Sequence, residues 1–99
     1  MSAPRKDEVI SYLRSHAADL KAAGMSSLYL FGSVARGDAG PDSDVDLFFE
    51  YEPHVRGLDV IGLMHMIEDL FDRKVDVVSR KSLHPALKDN IEADAVQVF

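Results

Sequence analysis

The sequence contains no cysteine among its 99 residues. This absence excludes a disulfide framework, a cysteine-based zinc site and a thiol nucleophile. The chain also lacks any apolar run near the roughly 20 residues that a membrane-spanning helix needs. Its first residues lack the apolar segment of a signal peptide. We therefore expect a soluble protein of the cytoplasm that does not contact a membrane.

Basic residues are few and scattered. The chain has 11 Lys and Arg against 17 Asp and Glu, a formal net charge of −6. The densest basic groups are the pairs Arg5-Lys6, Arg73-Lys74 and Arg80-Lys81. A protein that grips a nucleic-acid backbone presents a basic face. We therefore expect no direct nucleic-acid binding, whereas an acidic surface suits solubility or a cationic partner protein.

The pattern of apolar residues predicts a single domain over residues 1–99. Apolar runs rich in β-branched and aromatic residues predict strands at 27–31, 45–51, 75–79 and 95–99. Apolar residues at three- and four-residue spacing predict helices at 4–23, 59–71 and 85–92, with a brief helical turn at 34–37. This order predicts an α/β (α+β) fold, with a sheet of about four strands and helices on one side of it.

Asp44 directly precedes the largely apolar strand 45–51, and Asp46 lies inside it. Residues two apart in a strand point to the same face, with Cα atoms roughly 7 Å apart. Two carboxylates about 4 Å apart repel by about 4 kcal/mol at an effective dielectric of about 20, so they face water or hold a cation. Asp76, in strand 75–79, joins them if the two strands are neighbours. Three acids on two strands suit two Mg²⁺ ions.

Gly32 and Ser33 directly follow the predicted strand 27–31. A glycine at this point lets the backbone approach a polyphosphate closely. The N–H groups of the following turn and the Ser33 hydroxyl can hold its oxygens. Phosphates bound there and metal ions bound by the acids would together form a nucleoside triphosphate site.

Two basic positions have open roles. Arg36 either neutralises phosphate or pairs with a carboxylate of the loop, and we include it among the candidate nucleotide-binding residues. Its alternative partners are Asp38, Asp42 and Asp44. Arg80 and Lys81 follow strand 75–79. They either contact the triphosphate or a partner protein, or they lie in a solvated loop. The solvated loop is the favoured interpretation.

Each of these elements also has a purely structural interpretation. Ser33 suits a helix N-cap, Asp44 a turn and Asp76 an exposed strand position. A calcium loop is excluded, because its required glycine and glutamate positions hold Leu47 and Pro53. The combination of a Gly-Ser bend, an Asp-x-Asp pair and a further Asp in a third strand favours the nucleotide site.

The stretch LFGSVARGDAGPDSDVDLFF closely resembles the signature of the DNA-polymerase-β-like nucleotidyltransferases. Specifically, it resembles the minimal nucleotidyltransferase (MNT) antitoxins that pair with HEPN-domain toxins, and the resemblance covers nearly the whole chain. It implies a small mixed sheet of the polymerase-β-like fold. It also implies that Gly32 and Ser33 contact the nucleotide phosphates, that Asp44 and Asp46 bind Mg²⁺, and that Asp76 completes the catalytic and metal-binding triad.

The same resemblance implies an activity and a partner. Such proteins transfer AMP from ATP to a tyrosine of the cognate HEPN toxin, so we expect a hetero-oligomer with that toxin and an open site that the toxin completes. Two alternatives remain: an antitoxin that neutralises by binding alone, and a nucleotidyltransferase for a small molecule, which the lack of an acceptor domain disfavours.

Overall fold

The computed structural model describes residues 3–99. The helices are α1 (Lys6–Arg14), α2 (Ala17–Ala22), α3 (Gly32–Arg36), α4 (Leu58–Glu68) and α5 (Pro85–Asp94), and a 3-10 turn spans Arg80–Ser82. The strands are β1 (Met25–Phe31), β2 (Val45–Tyr51), β3 (Val75–Ser79) and β4 (Val96–Gln97). They form one sheet in the order β3-β2-β1-β4, in which β2 and β3 are parallel and the other pairs antiparallel. The predicted fold, a mixed four-stranded sheet with helices, is confirmed.

The two faces of the sheet differ because side chains alternate along each strand. One face packs against α1, α2 and α4 and forms the main core. Its buried side chains include Leu28, Leu30, Leu47, Phe49 and Val77. On the opposite face, the strand register places Phe31 beside Asp46 and Asp46 beside Asp76. The acids therefore lie away from the main core.

The leading helix, predicted over residues 4–23, is interrupted. α1 ends at Arg14 and α2 begins at Ala17. The Ser15 hydroxyl donates to the Tyr12 carbonyl, and the backbone N–H of His16 turns instead to the carbonyl of Leu13. A serine hydroxyl that binds a nearby carbonyl competes with the helical ladder in this way. The prediction of one continuous helix over residues 4–23 is therefore wrong at residues 15 and 16.

The second face of the sheet is covered by aromatic rings, an arginine and part of α5. Phe48 is fully buried and stacks on Tyr29 at 4.7 Å between ring centroids. The guanidinium of Arg80 lies over both rings, 5.4 and 5.5 Å from their centroids, and donates to Glu92 of α5. The expectation that helices lie on one side only is therefore wrong for α5. Within residues 3–99, no helix is both long and apolar enough to cross a membrane.

Two leucines of α4 test the assignment of the core. Leu63 is 1% exposed and Leu58 is 84% exposed. Replacing a fully buried leucine by alanine removes packing and leaves a cavity, so Leu63→Ala should lower the free energy of unfolding by about 2–5 kcal/mol. Leu58→Ala should change it by less than about 0.5 kcal/mol. Urea denaturation of both variants measures the difference, and equal losses would contradict the orientation of α4.

Candidate active site

Asp46 and Asp76 are direct neighbours across the parallel strands β2 and β3. Neighbouring strands lie about 4.8 Å apart, and paired residues project to the same face. Asp46 is half-buried, whereas Asp76 is exposed. The strand register therefore brings two of the predicted site residues together.

Asp44 lies one residue before β2 and is half-buried. Its carboxylate is 3.5 Å from Nζ of Lys74, whose side chain is 72% exposed. An ion pair with so exposed a lysine contributes little stability. A divalent cation would therefore displace Lys74 from Asp44 at little cost.

Gly32 packs directly against the Asp46 carboxylate. Its φ of +76° lies in the left-handed region that glycine adopts without strain. A Cβ built at this position would overlap Oδ2 of Asp46 and would lie 3.1 Å from its Cγ. A side chain at residue 32 would therefore displace the carboxylate, and only glycine lets the bend after β1 approach the acids so closely.

The short helix α3 starts at this bend. Phe31 occupies the N-cap position, so Ser33 is the second helical residue and its alternative interpretation as an N-cap is wrong. Backbone N–H groups in the first turn of a helix have no acceptor within the helix. The first turn of α3 thus places such donors, together with the Ser33 hydroxyl, next to Gly32 and the acids.

The carboxylates repel one another in this structure. The pKa of Asp46 rises from 3.8 to about 6, chiefly because the group is partly buried and then because Asp76 and Asp44 carry like charges. The positive charge of Arg36 acts in the opposite direction. Burial and like charges both disfavour the ionised form. The site therefore holds excess negative charge that a cation would neutralise.

The donor set suits Mg²⁺. Within residues 3–99, no three His, Asp or Glu side chains are already arranged as a complete ligand set for a metal ion. Mg²⁺ does not need one, since it is commonly held by one or two carboxylates while substrate phosphates and water supply the other ligands. The hard oxygens of Asp44, Asp46 and Asp76, with the raised pKa of Asp46, fit such an ion.

Arg36 pairs with two acids. Its Nε donates to Asp38 at 3.3 Å and its Nη1 donates to Asp94 of α5 at 3.1 Å. Asp38 is one of the predicted partners, whereas Asp94 was missed because it lies 58 residues away. The Arg36 side chain is still 47% exposed, so these ion pairs leave it accessible to a ligand.

Arg80 does not lie in a solvated loop, so the favoured interpretation of this residue is wrong. It donates to Glu92 through Nε at 2.8 Å and to Glu50 through Nη1 at 3.1 Å, and only 33% of its side chain is exposed. A signal for this pairing exists in the sequence. Glu50 lies on the same face of β2 as Phe48, and Arg80 directly follows the neighbouring strand β3.

Two curated relatives resemble this chain over almost its full length. A Methanocaldococcus jannaschii protein, provisionally named a protein adenylyltransferase, is 33% identical over 93 residues, 92% of this chain and 95% of the relative. The protein adenylyltransferase MntA of Thermococcus cleftensis is 32% identical over 93 residues, 93% of this chain and 94% of the relative.

Solved structures share the fold. A structure provisionally described as a minimal nucleotidyltransferase has 30% identity and a TM-score of 0.75, covering 94% of this chain and 95% of that one. A toxin–antitoxin structure with AMP-PNP has 20% identity and a TM-score of 0.66, covering 87% and 72%. The complex of a tri-AMPylated HEPN toxin with MNT antitoxin from Shewanella oneidensis has 18% identity and a TM-score of 0.59, covering 87% and 68%. Because the last two structures are only 20% and 18% identical to this chain, they show that the fold is shared.

Residues 11–98 match the family model of the nucleotidyltransferase domain. The chain therefore belongs to the nucleotidyltransferase domain family. The resemblance to the minimal nucleotidyltransferases, seen first in the Gly-Ser and Asp-x-Asp stretch, is confirmed by these relatives and structures. The predicted class of enzyme, a nucleotidyltransferase, is confirmed with it.

The raised pKa of Asp46 predicts a pH-dependent gain in stability for Asp46→Asn. Because the folded state binds this proton more tightly than the unfolded state, ionisation of Asp46 lowers the stability of the fold as pH rises from about 4 to about 6. The asparagine cannot ionise. It should raise the free energy of unfolding by on the order of 1 kcal/mol at about pH 7.5, after allowance for solvent screening, and leave it unchanged near pH 4.

Urea denaturation at the two pH values measures this difference. Asp42→Asn removes an exposed acid of the loop before β2 and is the matched control for the loss of one carboxylate; it should change the free energy of unfolding by less than about 0.5 kcal/mol. If Asp46→Asn is instead less stable than the wild-type chain at about pH 7.5, neighbouring groups stabilise the ionised carboxylate in the folded chain. That result would contradict an excess of negative charge at the site.

Proposed function

We propose that this chain is a Mg²⁺-dependent protein adenylyltransferase. It moves AMP from ATP to a tyrosine hydroxyl of a HEPN-domain toxin and thereby acts as the antitoxin of that toxin. One observation carries the proposal: Asp46 and Asp76 are adjacent on β2 and β3, and the Asp46 carboxylate packs against the Gly32 bend. The acids that we propose to hold the cation thus lie beside the turn that we propose to bind phosphate.

Each residue of the site has a role in this reaction. Asp44, Asp46 and Asp76 would hold the metal, and bound Mg²⁺ would supply charge neutralisation for the triphosphate. The backbone of Gly32 and Ser33 and the Ser33 hydroxyl bind phosphate oxygens. The guanidinium of Arg36 adds a charged donor set for the same phosphates.

The transfer is an in-line displacement at the α-phosphate of ATP. The acceptor oxygen forms a bond to the α-phosphorus, and the bond to the leaving pyrophosphate breaks. A tyrosine hydroxyl has an ordinary pKa of about 10, so it must lose its proton to a base during the attack. Asp76 is the exposed member of the acidic group, which makes it the best placed acceptor for that proton.

Relatives support the choice of acceptor. The Thermococcus relative is named a protein adenylyltransferase, and the Shewanella complex contains a toxin that carries AMP groups beside an MNT antitoxin. The exposure of Asp76 supports a site open on one side, which the toxin would cover in a hetero-oligomer in the cytoplasm.

The test is intact-mass analysis of a cognate HEPN toxin after incubation with this chain, ATP and Mg²⁺. We expect AMP adducts on the toxin with wild-type chain, none with Asp46→Asn, and none after the metal is chelated, because the phosphates then lose their counter-charge. Asp42→Asn removes one negative charge, as Asp46→Asn does, but at a residue outside the site. This variant should transfer AMP at close to the wild-type rate.

Three other outcomes would overturn the proposal. Protection of cells from the toxin that persists in Asp46→Asn would favour neutralisation by binding alone. Label from the α-phosphate of ATP that appears on a small molecule and not on protein would favour a small-molecule acceptor. AMP on the toxin at a residue other than tyrosine would contradict the acceptor chemistry.

A further inference from the structure

The last turn of α5 contacts the candidate site through charged side chains. No residue of α5 is fully buried. Glu92 and Asp94, in its last turn, accept hydrogen bonds from Arg80 and Arg36. Acidic residues at the C-terminal end of a helix interact unfavourably with the helix dipole. The two arginines offset that disadvantage and link the last turn of α5 to this side of the sheet.

Asp94 holds one side of the Arg36 guanidinium. Nη1 of Arg36 donates to Oδ2 of Asp94 at 3.1 Å, while Nε donates to Oδ2 of Asp38 at 3.3 Å. Carboxylates on two separate segments therefore set the rotation of the planar guanidinium. Neither bond uses Nη2, which remains for a further acceptor. The side chain of Arg36 is 47% exposed and that of Asp94 is 38% exposed, so a ligand can reach the guanidinium.

Arg36 also lies on the helix that begins at the proposed phosphate-binding bend. Arg36 lies four residues after Gly32 in α3, which places the two residues on the same side of the helix. Gly32 in turn packs against the Asp46 carboxylate, so the helix that carries Arg36 begins beside the acids. A triphosphate bound at Gly32 and Asp46 would therefore lie within reach of Nη2.

We propose that Asp94 is a positioning residue, which holds the Arg36 guanidinium in the orientation that binds the nucleotide phosphates. The inference rests on the proposed nucleotidyl transfer and adds a residue to it that touches neither nucleotide nor metal. Arg36 binds phosphate in the ground state and in the transition state alike. Loss of Asp94 should therefore weaken ATP binding and leave the chemical step nearly unchanged.

The experiment measures AMP transfer to the HEPN toxin as a function of ATP concentration. For Asp94→Asn we expect KM for ATP to rise about 5- to 10-fold with kcat changed less than about twofold. Asp94→Glu keeps the carboxylate and should restore KM. Asp89→Asn changes an exposed acid of the same helix and should leave both constants at their wild-type values.

A second variant tests whether Asp94 acts through Arg36. In an Arg36→Gln background, Asp94→Asn should have no further effect on KM, since the group that it positions is already absent. Additive losses would overturn the inference, as would an Asp94→Asn protein that behaves like Asp89→Asn while the wild-type chain transfers AMP. A wild-type chain that transfers no AMP would overturn the proposed function itself, and this inference with it.

Discussion

The repulsion between Asp46 and Asp76 is the constraint on which the site depends. The parallel pairing of β2 and β3 holds the two carboxylates side by side, and burial of the opposite face of the same strands holds the pairing in place. A slip of β2 by one residue would turn Asp46 into the core and Leu47 out of it. The hydrophobic core therefore stabilises a cluster of charge that would otherwise separate.

The neighbouring elements limit this repulsion without removing it. Gly32 brings backbone rather than a side chain against Asp46, and Arg36 contributes positive charge while it is itself held by Asp38 and Asp94. The pKa of Asp46 nevertheless stays raised. The folded chain thus keeps a surplus of negative charge next to free backbone donors, which is the arrangement that a metal-bound triphosphate would complete.

Local patterns in the sequence predicted the strands of the site, and contacts between distant segments account for what was missed. β2 and β3 match their predicted bounds because alternation and β-branched residues are properties of each segment alone. The break after α1 depends on a Ser15 hydroxyl bond that apolar spacing does not record. The ion pairs of Arg80 with Glu92 and of Arg36 with Asp94 depend on how α5 returns to the sheet, which no local pattern reports.

A divalent cation between the acids is the central claim, and paramagnetic Mn²⁺ reports on it directly, because Mn²⁺ accepts the same oxygen ligands as Mg²⁺. NMR spectra of the chain with substoichiometric Mn²⁺ should lose the backbone amide signals around Gly32, Asp46 and Asp76 first, and Asp46→Asn should prevent this loss. Early loss of signals at the exposed acids Glu68 and Asp69, at the C-terminal end of α4, with those of Asp46 and Asp76 unchanged, would contradict the account.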